Sequence, residues 1–332
     1  MKGLWDKWKP AVLMVVVQIT FSACNILYKL TIYDGMSTIV LSAYRLAFAA
    51  ATTIPLALIF ERKRPNMTRK VFGLAFLSGL FGGALFQNLF YGALTFAPAT
   101  LVSALYNLIP SITLILAICF GFEKLNWGAA TGKAKVFGTI IGLVGAMLLA
   151  FYKGIVFHIW HFHFNLYTLL DQTGHENADH GNELLGALCV IASCFCFSIW
   201  MIIQAKINEG YPCRYASIAL MSTIGAIQSI IFGLCVERDW NQWKMGWDVR
   251  LLTAAYSGIM ASGIMIIVIA WCIHVRGPLF ASSFNPLMLV LVAIVASLTL
   301  DEKLYLGSAI GSVLIVVGLY AVLWGKGKEM QK

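Results

Sequence analysis

The sequence predicts an all-α integral membrane protein of ten transmembrane helices, arranged as two inverted five-helix repeats. Three observations carry this. Of 332 residues 60% are hydrophobic and 12% charged, with a mean hydropathy of +0.80, whereas soluble domains carry roughly 25% charged residues. A hydrocarbon core of about 30 Å needs about 20 helical residues to cross it, and apolar stretches of that kind recur ten times, at roughly 10–30, 36–60, 71–94, 100–122, 135–153, 184–205, 214–236, 250–273, 279–300 and 306–324. The third observation is a duplication. Ser78-Gly79 opens a passage that closes on Glu123-Lys124-Leu125-Asn126-Trp127-Gly128, and Ser257-Gly258 opens another that closes on Glu302-Lys303-Leu304-Tyr305-Leu306-Gly307, every pair 179 positions apart. Farther on, Gly138, Gly145, Lys153 and Gly154 match Gly311, Gly318, Lys326 and Gly327 at an offset of 173, so the first copy carries six extra residues, around Ala130 to Lys135. A fixed offset across two apolar segments signals an internal repeat.

Taken in order, the chain divides into 1–153 (first repeat, helices one to five), 154–183 (an outer loop), 184–324 (second repeat, helices six to ten) and 325–332 (a cytoplasmic tail). The first apolar run, from Pro10 to Tyr28, is long enough to span and leads straight into the next, which reads as helix one and not as a cleavable signal. With the amino terminus inside, seventeen of the 24 Lys and Arg fall on inner segments and five on outer ones, with Lys29 and Arg45 left within spans. The positive-inside rule therefore predicts both termini in the cytoplasm. Because the basic residues sit in short loops, they set orientation, and no nucleic-acid partner is expected. Five crossings per copy leave the second copy upside down relative to the first. That architecture recurs in secondary transporters, in which substrate sits near the midplane between the copies; the plainer reading is that duplication merely builds a stable bundle. Asn66-Met67-Thr68 is a glycosylation sequon placed on an inner loop, so it is expected to stay unmodified; a glycan on Asn66, seen as an endoglycosidase-sensitive gel shift, would reverse the orientation.

The eight cysteines lie mostly within or at the ends of apolar spans, and Cys194-x-Cys196, with no partner at ligand spacing, reads as packing. Neither a metal nor a cofactor is expected. Five of the six histidines, His158, His161, His163, His175 and His180, fall in the outer loop, which reads as solvated and variable. Trp240, Trp243 and Trp247 read as interfacial anchors.

All fifteen acidic residues lie in loops or at span ends. A carboxylate proton relay is therefore not evident in the membrane, which favours facilitated diffusion or exchange over proton coupling. Arg45 is the charge most plainly inside, about nine residues or roughly 14 Å from the outer end of helix two. A guanidinium at that depth marks a functional site by default and its fork matches a carboxylate; the alternative is a structural arginine that snorkels or bonds helix-end carbonyls. Helix three carries Gln87, Asn88 and Tyr91, of which Gln87 and Tyr91 share one face. Tyr106, Asn107 and Pro110 on helix four, and Ser282, Asn285 and Pro286 on helix nine, put a proline-broken polar segment at corresponding places in the two halves, the strongest pointer to a binding site in a sequence of this kind. A packing kink with an amide as glue is the plainer reading of the same residues. The candidate substrate-binding set is Arg45, Gln87, Asn88, Tyr91, Tyr106, Asn107, Ser282 and Asn285, with Pro110 and Pro286 as helix breaks.

An ordered set of short motifs adds a family likeness. Leu41-Ser-Ala-Tyr-Arg45, Thr95-Phe-Ala-Pro98-Ala-Thr100, Asn107-Leu-Ile-Pro110, Arg276-Gly-Pro278, Phe284-Asn-Pro286, Glu302-Lys-Leu-Tyr-Leu-Gly307 and the closing Gly318-Leu-Tyr-Ala-Val-Leu-Trp324 resemble the plant nodulin-like EamA transporters, the Walls Are Thin-related or UMAMIT group of the drug/metabolite transporter superfamily. The resemblance implies ten helices in two EamA repeats, a plant source and a plasma membrane location ahead of the vacuolar membrane. It also implies a small-molecule substrate in a lipid bilayer: an amino acid, carried bidirectionally or exported, or alternatively an auxin-like indole acid. Homo-oligomerisation is left open. No nucleophile, metal cluster or acid pair supports a membrane enzyme, and Glu123 and Glu302 fall on opposite faces; a non-transporting scaffold or receptor is the reading from another class.

Overall fold

A computed structural model describes residues 2–62, 68–97, 99–123, 128–152, 156–157, 180–211, 213–299 and 304–329. The first two spans are the helices Lys2–Tyr33 and Thr38–Phe60. The third is α-helical over Arg69–Gly79 and Phe86–Phe96 with a π-helical stretch, Leu80–Leu85, between. The fourth is broken into Ala99–Tyr106 and Ile109–Cys119, and the fifth is Ala130–Phe151. In the second half the sixth and seventh spans are His180–Gly210 and Arg214–Val236. The eighth runs Val249–Tyr256, then a π-helical Ser257–Met265, then Ile266–Arg276. The ninth is broken into Pro278–Ser282 and Asn285–Thr299, and the tenth is Leu306–Glu329. Among the described residues eight helices are long and apolar enough to cross a membrane, and Pro278–Val292 is a shorter apolar one. The protein is a multi-pass membrane protein. A two-residue antiparallel pairing, Val156 with Tyr305 and Phe157 with Leu304, ties the two connections that follow spans five and nine.

The stretch from Ala130 to Lys135 is helical: span five begins at Ala130 and not near 135, three residues earlier relative to Gly138 than span ten begins relative to Gly311, and Lys135 is a fully buried helical residue. Prolines Pro110 and Pro286 sit in the first turn of the second piece of each broken span, where a missing N–H costs nothing, so the chain resolves them as breaks between two helices.

The principal contacts between spans recur when the halves are exchanged. Span two packs on span seven and span five on span ten; three on six is mirrored by eight on one, four on six by nine on one, and three on seven by eight on two. The mirroring reaches single atoms. A Cβ on Gly79 would stand 3.0 Å from both Met221 O and Gly225 N, while one on its counterpart Gly258 would stand 2.6 Å from Arg45 O and 3.4 Å from Ala49 N. Ser198 Oγ donates to Ile109 O at 3.4 Å, and Ser22 Oγ to Met288 O at the same distance. Position 45 is thus the structural equivalent of position 221. Glycine makes the close approaches possible, since helices in lipid associate through packing and small residues let backbones meet. Where span five crosses span ten, Cβ atoms on Gly138 and Gly318 would each fall within 2.7 Å of the other's carbonyl oxygen, and those on Gly145 and Gly311 within 2.8 Å.

Large apolar side chains such as Phe137, Ile231 and Val313 face outward, as lipid-facing residues should. Trp240 and Trp247 are also exposed, but Trp243 is not an anchor of that kind. It packs on Gly233 and takes a 2.7 Å hydrogen bond from Tyr44 Oη at its carbonyl, joining the loop after span seven to span two.

Candidate functional site

Span one presents Phe21, Cys24, Asn25 and Tyr28 on one helical face, the i, i+3, i+4, i+7 pattern. Span two adds Arg45 and Leu46, span three Gly82, Phe86, Gln87, Phe90 and Tyr91, and the first piece of span four Tyr106. Across from them stand Phe197 of span six, Met221 and Ser222 of span seven, Ser262 and Ile266 of span eight and Met288 of span nine. Together they enclose a cavity of about 770 Å³, open mouth included. Both π-helical stretches contribute, through Gly82 and Ser262; such stretches inside α-helices occur often at functional sites. A Cβ at Gly82 would overlap the Trp200 ring, so glycine there lets that buried indole back the cavity wall.

Arg45 is the polar centre. Its Nε donates to Ser262 Oγ at 2.5 Å and its Nη1 to Tyr91 Oη at 3.1 Å, and the guanidinium lies over the Tyr28 ring, 5.6 Å from the centroid. The rings of Tyr28 and Tyr91 are 5.2 Å apart. Nη2 carries no hydrogen bond among the described residues, and no lining residue is acidic. The arginine therefore does not snorkel. It is a fixed cation whose partners are two neutral hydroxyls and a ring face, attractive but not neutralising.

The two halves have diverged around this centre. Repeat equivalence sets Arg45 against Met221 and Gln87 against Ile266, so at these two positions the first half is polar and the second apolar, while Ser222 and Ser262 of the second half also line the cavity. Phe86, Phe90, Tyr106 and Phe197 form a connected aromatic cluster on one side.

Of the residues singled out from sequence, Arg45, Gln87, Tyr91 and Tyr106 line the cavity. Gln87 also accepts a 2.8 Å hydrogen bond from Ser42 Oγ, which fixes its amide. Asn88, one residue and about 100° farther round the helix, instead donates to Ala84 O at 2.8 Å. Asn107, Pro110 and Pro286 border a separate small crevice between spans four, five, nine and ten, and Asn107 Nδ2 donates to Ser103 O at 2.6 Å. Ser282 is buried with its hydroxyl on Leu279 O, and Asn285 Oδ1 accepts from Gln18 Nε2 at 3.4 Å. The structure therefore separates the helix-break residues from those around Arg45. Tyr28 and Ser262 were missed by sequence reading. Tyr28 was findable from the helical face that begins at Phe21; Ser262 reaches Arg45 across 217 positions of chain, and nothing local announces it. The histidine-rich loop from 158 to 179 and Glu302 lie outside the described residues.

Comparison with known proteins agrees with this architecture. The EamA-like transporter family model matches residues 8–151 and 184–324. Two proteins of Arabidopsis thaliana, WAT1-related protein At1g25270 and WAT1-related protein At1g68170, are each 43% identical over 97% of this chain, covering 90% and 91% of their own lengths. WAT1-related protein At3g30340 is 38% identical over a similar share. A solved crystal structure of another chain superposes with a TM-score of 0.70 at 16% identity, over 95% of this chain and 98% of that one, which shows the shared fold. The chain therefore belongs to the EamA-like transporter family, as a plant WAT1-related membrane transporter of the drug/metabolite superfamily.

Proposed function

We propose that the protein is a secondary transporter that carries small organic carboxylates by alternating access, with Arg45 as the carboxylate-binding residue. The observation that supports this is the uncompensated Arg45: a guanidinium held in a membrane-embedded cavity with one nitrogen unused and no acidic neighbour is matched by a ligand that brings its own negative charge. Two substrate classes are in view, amino acids and indole acids. An amino acid would also bring an ammonium group, and the cavity offers it only amides, hydroxyls and ring faces. An indole acid needs no second charge partner, and Phe86, Phe90 and Phe197 suit a flat apolar body. The cavity chemistry therefore favours an aromatic monocarboxylate, with amino acids as the second reading. The path lies within one chain and needs no second copy; plasma membrane residence with both termini in the cytoplasm is proposed with it.

The test is uptake and efflux of labelled amino acids and indole-3-acetate in oocytes at two external pH values. Beside it runs Arg45→Ala at matched surface expression. A hydrogen bond to a charged group contributes about 1.5–3 kcal/mol, so flux is expected to fall about 10- to 100-fold in the variant. With no carboxylate in the cavity to relay protons, flux through the parent should not depend on the pH gradient. Equal flux in parent and variant would remove Arg45 from the site, and flux that collapses with the proton gradient would establish coupling through another group.

A further inference from the structure

We propose that this carrier is an anion exchanger: an organic carboxylate must occupy the cavity on both legs of the cycle, so that entry of one is tied to exit of another. The inference rests on the carboxylate-transport reading and goes beyond it to the stoichiometry of the cycle.

The argument is one of charge. Arginine stays protonated in any protein environment, so Arg45 brings a positive charge to every conformation. The first place to look for a compensating group is the protein itself. Among the described residues no carboxylate lines the cavity, and those nearest the ends of spans one, two and four are already engaged. Glu123 is paired with Lys135 and Lys326, Asp34 with Arg250, and Glu61 accepts the backbone N–H groups of Tyr215 and Ala216 at the start of span seven. None can follow the guanidinium into the cavity. The groups that do touch it, Ser262, Tyr91 and the Tyr28 ring, are neutral.

The second part of the argument is where Arg45 is held. It belongs to span two of the first repeat, and its Nε is bonded to span eight of the second. Rocking one repeat against the other must pass through this junction. Between its two open states the cavity is closed to water on both sides, and there the guanidinium loses the hydration that stabilises it when the mouth is open. Removing a lone charge from water is expensive, and a paired one much less so. A bound monocarboxylate makes the closed cavity neutral, with its oxygens on the free Nη2 and on Nη1. An empty cavity closes with a net charge of +1. The empty carrier therefore changes sides slowly and the loaded carrier quickly, and net movement in one direction is limited by the return of the empty form. One anion enters for each that leaves, and no net charge crosses.

The test uses the full-length protein in chloride-free liposomes at pH 7.5, with the labelled monocarboxylates indole-3-acetate and 3-phenylpropionate as probes and flux into protein-free liposomes subtracted. Initial uptake is compared between liposomes loaded with the unlabelled probe and liposomes loaded with potassium sulfate. At least about tenfold faster uptake into the probe-loaded set is expected, from the several-kilocalorie penalty on an unpaired charge in a closed site. Exchange of indole-3-acetate should also be unchanged by a valinomycin-imposed potential of either sign. Arg45→Lys keeps the charge and should keep the acceleration, whereas Arg45→Gln should bring the two loadings to the same rate. Flux that is equal into both sets of parent liposomes would overturn exchange while leaving transport standing. No flux of either probe under either loading would overturn the transport reading and exchange together.

Discussion

Glu123→Gln is expected to leave little folded protein at temperatures where the parent is stable. Glu123 lies just past span four with its side chain 2% exposed, and both its oxygens are engaged by lysines, Oε2 with Lys135 at 2.7 Å and Oε1 with Lys326. Lys135, fully buried, also meets Glu329 near the end of span ten. The four charges cancel as they stand. Removing one carboxylate leaves two lysines to share Glu329, and breaking a buried pair from one side costs about 3–5 kcal/mol. The same cluster joins the end of span four to spans five and ten, so the loss should be felt across the bundle. Thermal midpoints in detergent, read by fluorescence-detected size exclusion, would check it. Glu123→Gln combined with Lys326→Gln restores neutrality around the Lys135–Glu329 pair and should recover much of the deficit. A single variant as stable as the parent would show that the cluster is hydrated and contributes little.

Gly318→Ala should be nearly as damaging, for a steric and not an electrostatic reason. Its new methyl group would lie 2.6 Å from Gly138 O and 2.6 Å from Gly142 N, backbone atoms of span five that cannot rotate away. Overpacking of this kind costs about 1–3 kcal/mol, occasionally more, because the helices must separate. Gly138→Ala fills the same crossing from the other side, so the two losses should not add. Gly142→Ala is the control. It sits in the same glycine row, but a Cβ there meets nothing within 4 Å. A Gly142→Ala midpoint lowered as far as that of Gly318→Ala would mean that helix propensity or lipid contact, and not the crossing, sets the stability.

These two sites show what the sequence could and could not convey. Hydropathy and the 179-residue offset place the spans, because crossing a bilayer and duplicating a gene both leave one-dimensional records. The row Gly138, Gly142, Gly145 is equally visible, but which glycine meets a backbone is decided by the phase of span five against span ten, and that is a three-dimensional quantity. The same holds at the cavity. Arg45 announces itself by depth, and Gln87 and Tyr91 by sharing a helical face. Asn107 and Asn285 sit at breaks as their prolines imply, yet those breaks turn toward a different crevice, because a helix interruption fixes where backbone groups are freed and not which space they face. From sequence Lys135 reads as an inner cation at the start of span five, whereas the helix begins five residues earlier, at Ala130, and carries it into the protein interior.

The atom-level equivalence of Arg45 and Met221 bears on how such a chain could have arisen. If each half descends from a single five-span unit that paired with an upside-down copy of itself, both members of that ancestral pair carried the same residue at this position. Two arginines there would have faced each other across one small space with no acid between them, a repulsion that a self-paired unit has no means of relieving on one side alone. A lone cation became available only after the two copies were joined in one gene and could mutate separately. The capacity to hold a single negative charge off the symmetry axis is in that sense younger than the fold, and a half-length ancestor rebuilt from these repeats would be expected to bind neutral molecules in preference to carboxylates.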